Sequence, residues 1–227
     1  MLHLMPKFLW LHKKSTVLIV GAFRSGTNAT KSCLERFFWV DAVFNRWFWK
    51  HGLAPSFTEN PVPEDVQVLL LCRHPLAWVL AMHRFWRERR PELNVPQSFS
   101  EFLRKPFVVY DNTGSQQRPH YYFSSPLDYW NRYYYSWLEW GDISQQRTIV
   151  QCERIVSDAD DCLTPIAKAS RWRRHESGKL VLPTSRVGPR VSPAEGDELA
   201  LLSQVDKNFI LNCVDHQVAH CLGYELT

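Results

Sequence analysis

The run Gly21-Ala22-Phe23-Arg24-Ser25-Gly26-Thr27-Asn28 constrains this chain more than any other segment. It follows a short β-branched stretch over residues 17–20. It precedes residues 27–38, which read as a helix with Leu34, Phe37 and Phe38 on one face. A glycine turn between a buried strand and a helix aims backbone N–H groups and the positive end of the helix at one point. Phe23, Arg24, Ser25, Gly26, Thr27 and Asn28 are therefore read as a binding loop for an anion. The glycine spacing is that of a nucleotide-triphosphate P-loop, but the chemistry differs. That motif needs Lys and then Ser or Thr directly after its second glycine, for phosphate and Mg²⁺. Thr27 and Asn28 stand there instead, and the cation is Arg24, inside the loop. A phosphate site without the Mg²⁺ hydroxyl suits a donor whose transfer needs no metal.

A second strand–helix unit follows. Residues 66–72 form an apolar run that ends in Arg73-His74-Pro75, and Pro75 suits the first turn of a helix running to about residue 90. Arg73 then lies at the carboxyl end of a parallel strand, where α/β sheets bind ligands. The order strand, helix, strand, helix predicts an α/β fold. We expect a central parallel sheet flanked by helices, with a P-loop-like strand-loop-helix at the N-terminus, in a single domain over residues 1–227. Residues 148–151 read as a third strand and residues 126–140 as a helix despite their aromatic load. Ser192-Pro193-Ala194-Glu195 combines a capping box with Pro at the first helical position. The helix it opens is expected to carry Leu199, Leu202, Val205, Phe209 and Ile210 inward. Residues 171–190, with Gly178, Pro183, Gly188 and Pro189, read as a long loop.

Composition narrows the partners. A net charge of +4 without a dense Lys/Arg tract argues against nucleic acid. The six Cys form no C-x-x-C pair and no compact disulfide spacing, which points to a reducing compartment. Residues 1–14 are apolar but interrupted by His3, Pro6, Lys7 and His12, so they read as neither signal peptide nor membrane anchor. The expectation is a cytoplasmic protein without a membrane partner. Ten Trp, eight Tyr and thirteen Phe serve both a ring-filled core and ring-lined pockets, and composition does not divide them.

The stretch Arg24-Ser25-Gly26-Thr27 resembles the 5′-phosphosulfate loop of soluble sulfotransferases, which carries Lys or Arg followed by Ser-Gly-Thr/Ser. The unit around Arg73 is similar to that family's 3′-phosphate strand and helix, an apolar strand followed by Arg-Asp/Asn-Pro. The family places a Ser where this chain has Ala81, so His83 or Arg84 is the expected substitute for one 3′-phosphate contact. Residues 149–156 are similar to its Tyr-Glu-Asp-Leu strand and retain Glu153. Trp137 and Trp140 match a Trp-bearing helix upstream, and Gly223-Tyr224-Glu225 matches its usual ending. Arg186 and Gly188, with Arg190, resemble its Arg/Lys-Gly clamp on the 3′-phosphate.

The resemblance implies transfer of a sulfuryl group from 3′-phosphoadenosine-5′-phosphosulfate (PAPS) to a hydroxyl or amine of a small acceptor, aromatic or saccharide. The reaction is in-line, needs no metal, and leaves adenosine 3′,5′-bisphosphate. Such a transfer requires removal of the acceptor proton and compensation of charge on the leaving phosphate. Arg24 suits the second task by electrostatic stabilisation, because guanidinium stays protonated. The family carries a Lys-x-His segment upstream of the 3′-phosphate Arg, and Lys50-His51 aligns with it. His51 is the candidate base, expected to titrate near neutrality. Glu59, Asp41 and His120 are held in reserve, and His74 reads as structural. The aromatic run over 120–140 reads mainly as a packed helix face. Two alternatives stand beside this reading. One is a P-loop nucleotide or small-molecule kinase, against which Thr27 and Asn28 argue. The other is a degenerate, non-catalytic nucleotide-binding module.

Overall fold

The computed structural model describes residues 14–55, 62–89, 94–109, 121–144, 147–183, 199–200 and 202–226. Its centre is a four-stranded parallel sheet in the order β2-β1-β3-β6. The strands are β1 (Ser15–Gly21), β2 (Val40–Val43), β3 (Gln67–Cys72) and β6 (Arg147–Gln151). β4 (Phe107–Val109) and β5 (Tyr121–Phe123) pair antiparallel beside it. The helices are α1 (Thr27–Phe37), α2 (Pro75–Arg89), α3 (Phe99–Arg104), α4 (Pro126–Ser144), α5 (Cys152–Ser157), α6 (Ala159–Ala169), α7 (Gln204–Cys213) and α8 (His216–Cys221), and residues 199–200 are helical as well. The α/β class read from the sequence is the observed one.

Alternate residues of β1 and β3 serve two cores. Leu18, Val20, Val68 and Leu70 pack with α2, α4 and the chain's last helices, whereas Val17, Ile19, Leu69 and Leu71 pack with α1 and α6. A strand buried on both faces needs a continuous apolar sequence, and both strands have one. β1 is followed by α1 on one face of the sheet, and β3 by α2 on the other. The strand order reverses between them, which opens a crevice at the carboxyl ends of β1 and β3. The glycine loop and Arg73 flank that crevice.

Two expectations need correction. Residues 192–195 lie outside the described residues; residues 199–200 are helical, but Phe209 and Ile210 sit on a separate helix, α7, that starts after a break at 202–203 and is capped by Ser203. Its hydroxyl accepts the Asp206 N–H at 3.1 Å. That phase leaves Val205 69 % exposed while Ile210 is fully buried, so Val205 does not face inward. Among the described residues no helix is long and apolar enough to cross a membrane.

Candidate functional site

The loop from Gly21 to Gly26 turns its carbonyls into the protein. Gly21 O faces His51 Nδ1 at 2.7 Å, Ala22 O accepts the Ser25 N–H at 3.2 Å, and Phe23 O accepts Trp78 Nε1 at 2.7 Å. Arg24 O accepts Arg73 Nη1 at 3.3 Å, and Gly26 O accepts the Thr30 N–H and hydroxyl. The first N–H groups of an α-helix have no carbonyl partner within the helix, and those of α1 begin at this loop. Gly26 is the N-cap, in a left-handed conformation at φ 83°, and makes no side-chain cap. Arg24 shares the left-handed region at φ 64°, rare for a residue with a Cβ. Alternation of left-handed residues with ordinary ones gathers successive N–H groups into an anion-binding concavity. Gly21 is required for a different reason. A Cβ there would lie 2.8 Å from Leu71 O and 3.0 Å from Thr27 Cγ2, because the end of β1 lies against β3 and the start of α1.

Positive charge collects on the α2 side of the crevice. Arg73 is 3 % exposed, and Trp130 Nε1 donates to its carbonyl at 3.2 Å. Arg24 lies over the Phe85 ring, 5.0 Å from its centroid. Burial lowers the Arg24 pKa, and the charges of Arg73 and Arg84 lower it further, so both guanidiniums lie in electrostatic range of Arg24. Such a cluster favours a bound anion. Ser25, 1 % exposed, donates its hydroxyl to Tyr134 Oη at 3.0 Å, since the Tyr134 proton is committed to Leu71 O at 3.2 Å. Ser25 is thus a tie to α4 and β3.

The segment Lys50–Gly52 lies beside the end of β1. Gly21 donates its N–H to Lys50 O at 3.2 Å, and Tyr133 donates its hydroxyl to the same carbonyl at 2.6 Å. Tyr129 donates to His51 O at 3.0 Å and Trp137 Nε1 to Gly52 O at 3.1 Å. Tyr129, Tyr133 and Trp137 recur every four residues, so one stripe of α4 holds three consecutive carbonyls. The Lys50 ammonium meets Asn28 Oδ1 at 2.8 Å and sits over the Phe44 ring, 3.6 Å from its centroid. Burial, and then the Lys31 charge, push its pKa down to about 8.

His51 stacks on Phe23, with ring centroids 4.0 Å apart, and meets Trp49 edge-on. A carbonyl only accepts, so Nδ1 carries the proton given to Gly21 O, and Nε2 keeps the lone pair. Burial pushes the imidazole down to about 3, with the Lys50 charge adding to the effect. This corrects the expectation of titration near neutrality: His51 stays neutral throughout the working range.

The glycine loop, Arg73, Lys50 and His51 are brought together. The remaining candidates divide. Arg186, Gly188, Arg190, Glu59 and His120 lie outside the described residues. Asp41 pairs with Thr16 in register, five residues before Gly21. At ~3.3 Å per residue that is the far end of the sheet, and its carboxylate faces Arg46 at 3.7 Å. His83 is committed to Pro96 O at 2.8 Å among Phe99 and Phe102, so it does not replace the missing Ser at Ala81. Arg84 is the better-placed substitute, exposed and near Arg24.

Glu153 is a brace. One oxygen accepts the His74 N–H and the other the Tyr224 hydroxyl, each at 2.9 Å, fixing the turn after Arg73. Sequence reasoning underrated Lys50 and missed the carbonyl clamp of α4; the four-residue spacing of Tyr129, Tyr133 and Trp137 was the available signal. Among the described residues no group of His, Cys, Asp and Glu gathers to hold a metal ion. No family model matches the chain, and no curated protein matches it significantly.

Proposed function

We propose that the chain is a PAPS-dependent sulfotransferase. The observation that carries the reading is the glycine loop. Its carbonyls are bound inward, its helix start has no side-chain cap, and Arg24, Arg73 and Arg84 stand beside it. The 5′-phosphosulfate is assigned to the N–H groups of Gly26 and Thr27, the Ser25 N–H being held by Ala22 O, and the 3′-phosphate to Arg73, with Arg84 replacing the absent Ser. Arg186 and Gly188 remain assigned to the 3′-phosphate on the resemblance alone. Lys50, on Asn28, supplies a further cation at the same helix end.

In the reaction an acceptor oxygen attacks the sulfur, and the bond from sulfur to the bridging phosphate oxygen breaks. That oxygen keeps the electron pair and leaves as the 5′-phosphate of adenosine 3′,5′-bisphosphate. Arg24 stabilises the growing charge, an effect larger in a pocket shielded from water. The acceptor proton is assigned to His51 Nε2, the nitrogen that holds the ring's lone pair when Nδ1 donates to Gly21 O. Free cysteines throughout suit a cytoplasmic protein.

The test is incubation with PAPS carrying sulfur-35 and a pool of phenols, saccharides and amines, without added metal, followed by mass spectrometry. A labelled organic product is expected. Tight bisphosphate binding with no product from any acceptor class would favour a binding module.

A further inference from the structure

The backbone of Lys50 is tethered from both sides. Its N–H donates to Asn45 Oδ1 at 2.9 Å, and its carbonyl accepts from the Tyr133 hydroxyl at 2.6 Å and from Gly21. Tyr133 is fully buried, and a phenol taken out of water needs a partner. Asn45 holds φ 51°, a conformation open to few residues with a Cβ, Asn among them. Such conformations persist where the surroundings over-determine them. Between the two tethers the Lys50 side chain runs over Phe44 to Asn28. A four-carbon stem has many rotamers, and it keeps one seat only where its Cα is fixed and its path is walled.

We propose that Tyr133 and Asn45 are positioning residues, which fix the backbone of Lys50 and so seat its ammonium on Asn28 at the start of α1. The catalytic consequence rests on the sulfotransferase reading; the seating itself does not. Around the ammonium stand Asn28 and Lys31 from α1, Phe44 from the loop after β2, and the neighbouring His51.

The experiment is nuclear magnetic resonance titration of carbon-13-labelled lysine in the ligand-free protein, comparing wild type, Tyr133→Phe and Asn45→Ala. Lys50→Arg assigns the signal. Wild-type Lys50 is expected to titrate at about 8. In each folded variant the midpoint should rise toward the ordinary lysine value near ~10.4. An unchanged midpoint in folded variants, even with a lowered melting temperature, leaves the two residues merely structural and overturns the proposal. So does a wild-type Lys50 that titrates like a free lysine. If Tyr133→Phe does not fold, Asn45→Ala, altered in a partly exposed loop, decides alone. Adenosine 3′,5′-bisphosphate is added in a separate arm. Failure of the wild type to bind it sinks the donor reading and leaves the lysine comparison standing.

Discussion

Arg24 and His51 are assigned to chemistry, and the two make a joint prediction. Charge on the leaving oxygen grows during transfer, and the acceptor proton leaves only then. Arg24→Ala and His51→Ala should therefore lower turnover more than donor affinity. For His51→Ala the fall should be roughly 10²–10⁴, the usual range for a lost general base. The pH profile follows from the buried states. His51, with its pKa depressed to about 3, is charged only below that value, so turnover should not decline between about pH 7 and pH 5 through this group. Lys50 is charged below about 8, so its help to a bound anion is complete at lower pH and lost as pH rises through that value. Steady-state rates across pH check both limbs; an acid limb near neutrality that vanishes in His51→Ala would contradict the assignment. The nearness of Arg24 and His51 to one loop was legible in the sequence, but the His51 titration was not. Burial against Phe23 and Trp49 sets it, and no local pattern announces which loop will be packed against which ring.

At the scale of elements, the sequence exposed what is periodic or punctuated. β1 and β3 were readable because strands covered on both faces need unbroken apolar runs, and α2 because Pro75 opens it. β2 escaped notice: Val40–Val43 has four residues, one of them Asp41, and is a strand only because β1 lies beside it. The helix expected to run on to Ile210 is interrupted at 202–203, where Ser203 caps a new helix. α4 was read correctly as a packed aromatic helix, yet packing is half of what it does. Trp130 and Tyr134 hold the carbonyls of Arg73 and Leu71, while Tyr129, Tyr133 and Trp137 hold those of residues 50–52. The loops of the site thus depend on one helix. The junction of β1 and α1 allows a direct check. In Gly21→Ala the new methyl group meets the Leu71 carbonyl, which belongs to the sheet and has little room to move. Forcing it in should cost ~1–3 kcal/mol, read as a lowered midpoint in urea unfolding. An unchanged midpoint would mean that β1 and β3 are not so closely apposed.

Across the whole molecule the sheet order carries the argument. Because β1 and β3 are neighbours whose following helices cover opposite faces, the glycine loop and Arg73 come to one crevice from positions far apart in the chain. That convergence brings two sequence motifs to a single crevice. It was legible in outline from the strand-helix alternation, whereas the inward binding of the loop carbonyls needed the third dimension. The measurement that tests the central claim most directly is isothermal titration of the wild-type protein and Arg73→Ala with adenosine 3′,5′-bisphosphate in the presence of a chelator, and with ATP and Mg²⁺. The account predicts that the bisphosphate binds the wild type without metal, that Arg73→Ala weakens this binding at least ~10-fold through loss of a charge-assisted contact, and that ATP with Mg²⁺ binds poorly. Equal affinity for the two ligands, or bisphosphate binding indifferent to Arg73, would contradict it.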